Sequence, residues 1–279
     1  MAGSNGLSIH DRPNSYIGRS VPRPNLSRLL KGRGSYADDV KLPRMLHVAF
    51  LRSSLAHAEI IKIETDKASA ASGVVAVFTG KELAEVCSPW VGVVTHLEGM
   101  RSPPQDVLAV DRVRWQGEPV VAVVAQTRAL AEDAIELIEV KYKELPLAVN
   151  MKTALDADAE VIHKDYENNL CWERNVNVGD VKSAFAEADV VIEEEFQFGR
   201  HTGVTLESRS IVADYDPGEE MLTLYQSTQA PHMMQALFAK HLQLEEHKIR
   251  IICRDVGGAF GLKAHAYGDE FATAAISKI

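Results

Sequence analysis

The run Pro119-Val120-Val121-Ala122-Val123-Val124-Ala125 is apolar throughout and rich in β-branched residues. With Gly117 and Pro119 at its start it predicts a strand. Thr127 is placed to cap a helix in which Leu130, Ala131, Ala134 and Ile135 form one apolar face, while Glu132, Asp133 and Glu136 fall mostly on the other. Ile138, Val140 and Tyr142 then alternate with Glu139, Lys141 and Lys143, which is strand period. Strand, helix and strand at this short spacing predict a compact α+β unit ending near Pro146.

The flanking sequence extends that unit. Gly32 to Asp39, followed by Leu42-Pro43, is turn chemistry leading into a strand over Met45–Leu51. Ile60–Ile63 reads as a strand and Asp66–Ala71 as a short helix that Gly73 is placed to end. Val74–Phe78 reads as a buried-type strand, and Thr79-Gly80-Lys81-Glu82 has the spacing of a capping box. Upstream, Pro13, Pro22 and Pro24 mark an extended arm over residues 1–26. Residues 27–148 form the first folded domain. Residues 149–177, low in periodicity, read as a linker to a second unit over 178–279.

In that second unit Asp180 caps a helix over Val181–Glu187, and Val190–Phe198 reads as a strand. Ile211–Tyr215 and Met221–Tyr225 flank the turn Asp216-Pro217-Gly218 as a hairpin. Met234, Leu237, Phe238 and His241 sit at helical spacing. A strand over Ile249–Ile252 and a helix with Tyr267, Phe271 and Ala274 on one face follow. Ala275–Ile279 continues the helical pattern without a stop signal, so the folded unit is expected to continue elsewhere.

Charge and cysteine usage exclude some functions. A net charge of −9 argues against a nucleic-acid partner, which would want a basic face. No apolar run is long enough to span a bilayer and no secretory signal pattern opens the chain, which places it in the cytoplasm. Cys87, Cys171 and Cys253 are far apart and none belongs to a C-x-x-C pair, so they read as buried or partly buried thiols. A disulfide framework, a zinc site and an iron–sulfur cluster are not expected in this chain. His201, His232, His241, His247 and His265 lack ligand spacing, and no metal ligand is assigned; His232 and His241 read as surface or cap residues.

Three stretches could carry chemistry. The loop Asp255-Val256-Gly257-Gly258-Ala259-Phe260-Gly261-Leu262-Lys263 follows a strand, and its glycines let backbone N–H groups face an anionic, phosphate-bearing cofactor. Lys263 at its exit either meets a phosphate or is solvated. Gln226 to His232 also lies between a strand and a helix; Gln229 carries an amide that can donate and accept, or is a solvent-facing residue beside a Ser/Thr cap. Pro231 is placed to open the helix. In His201 to Arg209, Glu207 and Arg209 could pair with each other. The loop is not a G-x-G-x-x-G fingerprint and no acidic residue sits on a following strand, which argues against a nicotinamide-dependent dehydrogenase.

These motifs together resemble the molybdenum-binding large subunit of the xanthine dehydrogenase / aldehyde oxidase / aerobic carbon monoxide dehydrogenase family. Gly32–Asp39, Leu42-Pro43, Ala56-His57-Ala58, Gly117–Val120, Ala131–Ala134 and Tyr142–Pro146 resemble its N-terminal α/β hammerhead domain. Glu207 and Arg209 resemble a Glu-x-Arg element; Ser227–His232 and Gly257–Lys263 resemble the two cofactor-contacting motifs. The resemblance implies an α+β fold, the hammerhead domain followed by the first, incomplete part of a molybdopterin-binding domain. It implies molybdopterin with molybdenum, in the cytosine dinucleotide form, held by Gly257, Gly258, Ala259, Phe260 and Gly261 and by Gln229, with Gln229 and Phe260 near the metal. It also implies a molybdenum hydroxylase, acting on an aldehyde, an N-heterocycle or carbon monoxide with water as oxygen source, that passes electrons to 2Fe–2S and FAD subunits.

Two departures qualify it. Purine-hydroxylating members carry a glutamate just after the loop's lysine, where this chain has Ala264. The family's catalytic glutamate lies in a later part, so no catalytic residue is expected in this chain, which would act with the remainder of the large subunit. The alternative is a catalytically inactive remnant, or an assembly and binding module of the same fold.

Overall fold

A seven-residue apolar strand is stable only between two neighbours, and Pro119–Ala125 has them. The computed structural model describes residues 16–92 and 97–279, and divides the chain into a small unit ending at Ser35 and a larger unit, Tyr36–Ile279. The extended arm expected over residues 1–26 falls outside the described residues as far as residue 15. The rest of the small unit holds one short helix, α1 (Leu26–Leu30).

In the larger unit, β1 (His47–Arg52), β2 (Ala58–Glu64), α2 (Asp66–Ser69), β3 (Val74–Thr79) and α3 (Gly80–Ala84) come first, followed by the short β4 (Arg112–Val113). Then come β5 (Pro119–Ala125), α4 (Arg128–Ile135) and β6 (Glu139–Glu144). β5 is the middle strand of the antiparallel sheet β1-β5-β3, and all of its residues are buried, which explains why its sequence is apolar without alternation. β6 pairs with β2 in the sheet β4-β2-β6, with one face in water, which explains its alternation. The caps form as the sequence predicts. Glu82 closes the Thr79 capping box, and Thr127 Oγ1 accepts from Leu130 N at 3.3 Å.

The second half contains α5 (Val181–Glu187), β7 (Ile211–Asp216), β8 (Met221–Gln226), α6 (Pro231–Leu242), β9 (Ile249–Ile252) and α7 (Gly268–Lys278). β7 and β8 form the expected hairpin. β9 lies parallel to β8 on its other side, reached through α6. The strand expected over Val190–Phe198 does not form. Its backbone groups pair with no strand among the described residues, and Val190, Ile192, Phe196 and Phe198 are all exposed.

The two halves share one apolar core. Phe271 of α7 sits between Trp90, at 4.9 Å between ring centroids, and Phe238 of α6, at 4.8 Å. Leu83, Leu108 and Ala122 join the same cluster as Leu222, Leu224 and Met234. A Cβ at Gly268 would stand 2.6 Å from Val107 O, so α7 begins against the first half's backbone where only glycine fits. Among the described residues no helix is long and apolar enough to cross a membrane.

Candidate functional site

Parallel neighbouring strands end side by side, so the segments leaving them emerge together. The turn Ser227–Ala230 leaves β8 and the glycine loop leaves β9, and the two are stitched along their length. Gly261 N donates to Gln229 Oε1 at 3.1 Å, and Gln229 N donates to Lys263 O at 3.1 Å. Thr228 Oγ1 donates to the same carbonyl at 3.0 Å, and Cys253 Sγ donates to Thr228 O at 2.9 Å. The structure thus brings Gln229 and Gly257–Gly261 into one place. With its Oε1 engaged, Gln229 has its Nε2 without a partner among the described residues.

The loop turns through left-handed backbone at Gly258 (φ +102°), Phe260 (φ 50°) and Gly261 (φ +88°). The N–H groups of Gly258, Ala259 and Phe260 donate to nothing among the described residues. Three adjacent unpartnered donors in such a turn suit an anionic group, and open space faces Gly261. Phe260 is 80% exposed, with Cε2 only 3.1 Å from where a Cβ on Gly258 would lie.

A third segment backs the loop. A Cβ on Gly203 would stand 3.0 Å from Phe260 Cβ, Thr205 Cβ lies 3.4 Å from a Cβ on Gly258, and Glu207 Cβ 2.5 Å from one on Gly257. Every second residue of this extended stretch therefore meets the loop, while Val204 and Leu206 between them face solvent.

Glu207 pairs with Lys263 and not with Arg209. Its Oε2 accepts from Gly257 N at 2.7 Å, Ser227 Oγ at 2.7 Å and Lys263 Nζ at 2.9 Å. Burial pushes this carboxyl up, but the Gly257, Lys263 and Ser227 donors outweigh it and hold it below the ordinary glutamate value. Lys263, expected either on a phosphate or in water, has a side chain 0% exposed and turns inward to Glu207.

Residues 31–146 match the aldehyde oxidase and xanthine dehydrogenase a/b hammerhead domain, and residues 162–279 match the molybdopterin cofactor-binding domain. The chain belongs to the aldehyde oxidase and xanthine dehydrogenase family. It is 36% identical over 262 residues to the nicotine 6-hydroxylase large subunit of Paenarthrobacter nicotinovorans, covering 94% of this chain and 32% of that protein. It is 37% identical over 257 residues to the carbon monoxide dehydrogenase large chain of Afipia carboxidovorans, covering 86% of this chain and 30% of that one. Quinoline 2-oxidoreductase from Pseudomonas putida 86 superimposes with a TM-score of 0.88 at 37% identity, over 94% of this chain and 33% of that one. The chain thus spans about a third of the length of each.

In this family member Arg209 anchors the start of α7. Its guanidinium forks onto Asp269 at 2.9 and 2.8 Å, reaches Glu270 at 3.2 Å and stacks 3.8 Å over the Tyr267 ring. Arg52 of β1 donates to Asp269 at 2.7 Å. Burial pushes Glu270 up to about 7 against the pull of Arg209, and its Oε2 finds no partner among the described residues. Asp269, also buried, is held below its ordinary value by Arg209 and Arg52. The sequence reading missed both acids; the adjacent Asp269-Glu270 at a helix start was the available signal.

Of the surface or cap roles the sequence suggested, His241 does not take the surface one: it lies buried in the last turn of α6, with Nδ1 3.0 Å from Ser88 Oγ; His232 is exposed. Cys171 is exposed, unlike the buried Cys87 and half-buried Cys253. Among the described residues no cluster of three His, Cys, Asp or Glu side chains could hold a metal ion.

Proposed function

We propose that this chain forms one wall of the molybdopterin site in a molybdenum hydroxylase large subunit. The carrying observation is the pair of loops at the ends of two parallel strands, tied through Gln229 and edged by three unpartnered N–H groups. Gly258, Ala259 and Phe260 would supply backbone donors to the cofactor's anionic part, and Gly257 and Gly261 would let it approach the main chain. Gln229, its carbonyl occupied by Gly261 N, would offer an N–H to an oxygen ligand at molybdenum, with Phe260 beside it.

Bound there, the cofactor would supply the two-electron redox couple for hydroxylating an aldehyde, an N-heterocycle or carbon monoxide with water as oxygen source. The residues of this chain bind and orient, and none is assigned proton transfer. The general base would come from the rest of the large subunit, consistent with a chain that spans about a third of its relatives. Partners would be that remainder, a 2Fe–2S subunit and an FAD subunit, in the cytoplasm. Metal analysis and acid release of the pterin nucleotide from the co-purified complex test this reading. Molybdenum with a cytosine nucleotide, each near one per chain, is the expected result; neither, with all partners present, overturns it.

A further inference from the structure

We infer that Glu207 and Lys263 are the positioning pair that sets the cofactor loops in register, an inference that rests on the reading of those loops given above. One oxygen, Glu207 Oε2, gathers the start of the glycine loop through Gly257 N, its exit through Lys263 Nζ and the Gln229 turn through Ser227 Oγ. The reverse link is also made, since Glu207 N donates to Gly257 O at 3.2 Å. Lys263 works from both ends. Its ammonium meets Glu207, and its carbonyl takes Gln229 N and Thr228 Oγ1. The distance between Glu207 and Gln229 is therefore set by the length of one fully buried side chain.

Stability alone does not call for this arrangement. Desolvating a carboxylate and an ammonium costs about what their attraction returns, and an apolar pair of similar volume commonly holds a core as well. What an apolar pair cannot do is accept the Gly257 N–H. The two roles separate in a pair of charge-free variants of similar volume, E207Q/K263M and E207L/K263M, which differ in the acceptor at position 207.

The test uses the full chain, made with its partners in cells that synthesise molybdopterin. Three quantities are read: molybdenum and pterin per chain, the thermal midpoint, and amide hydrogen exchange at Gly257–Gly261 without cofactor. E207Q/K263M is expected to keep a midpoint near wild type, and E207L/K263M, which leaves Gly257 N and Ser227 Oγ without their acceptor, to fold with a midpoint lowered by about 5–10 °C. E207Q/K263M should retain cofactor within about twofold, while E207L/K263M, which loses the bonds from both Gly257 N and Ser227 Oγ, should hold it at least about tenfold more weakly and exchange about tenfold faster at Gly257. Wild-type retention and exchange in E207L/K263M overturn the inference. So does failure of E207L/K263M to fold, or an equal fall in midpoint and in cofactor retention in E207Q/K263M, which makes the pair a general structural element. A wild-type chain that holds no molybdopterin refutes the proposed function instead, and the exchange comparison still decides the positioning role.

Discussion

Two glycines of the loop after β9 should resist substitution for opposite reasons. At Gly257 the obstacle is space. A Cβ there would stand 2.5 Å from Glu207 Cβ, about 1 Å inside the carbon–carbon optimum. Opening that gap overpacks the contact, at about 1–3 kcal/mol. It also stretches the 2.7 Å bond from Gly257 N to Glu207 Oε2, where a hydrogen bond to a charged group is worth about 1.5–3 kcal/mol. Gly257→Ala should therefore cost about 2–5 kcal/mol and lower the thermal midpoint by about 5–15 °C. At Gly261 the obstacle is backbone, since no atom lies within 4 Å of its Cβ position but φ is +88°. Gly261→Ala should cost about 1–2 kcal/mol. Asparagine tolerates left-handed backbone, so Gly261→Asn should cost less than Gly261→Ala, while Gly257→Asn should cost more than Gly257→Ala. Thermal and urea denaturation of the four variants measures this. A Gly257→Ala chain as stable as wild type refutes the contact with Glu207, and Gly261→Asn no better than Gly261→Ala refutes the backbone argument.

Phe271→Ala empties the ring contacts with Trp90 and Phe238 and should cost about 3–5 kcal/mol. Because the core is shared, near- and far-ultraviolet circular dichroism should report one coincident transition, and two separated transitions would refute it. Glu270 is raised to about 7 from an ordinary 4.5, so the native state holds its proton more tightly than the unfolded chain does. Its stabilising contribution is complete below the unfolded value and is lost as pH rises through about 7. Urea midpoints should show Glu270→Gln gaining on wild type by up to about 3 kcal/mol between pH 5 and 8, and parallel pH profiles would count against it. Thiol reagents should modify exposed Cys171 first and spare buried Cys87, whose thiol burial pushes up to about 12, until the chain unfolds; early loss of Cys87 in mass spectra would contradict that burial.

What the sequence disclosed was what neighbours along the chain decide. The Thr79 and Thr127 caps, the strand over Pro119–Ala125 and the turn at Asp216–Gly218 each draw their geometry from a few consecutive residues, and each stands in the structure. The run Val190–Phe198 shows the boundary of that logic. Its pattern states that the stretch can line a sheet, but a strand also needs an edge to pair with, and it pairs with none among the described residues.

The candidate site divides the same way. The glycines and Gln229 stand out in the sequence because loop chemistry is local, and the parallel pairing of β8 with β9 brings the two loops together. Glu207 and Arg209 looked like partners because residues two apart in an extended chain face the same way. They do face inward, as Gly203 and Thr205 do, but each meets an opposite charge supplied from far along the chain: Lys263 for Glu207, Asp269 and Glu270 for Arg209. A period of two identifies the face and is silent on what stands opposite it. The supply of opposite charge comes from the segment just after β9, whose path is fixed by the shared core around Phe271. The anchoring of the glycine loop is thus decided by packing, which is why Lys263, expected on a phosphate or in water, is found buried.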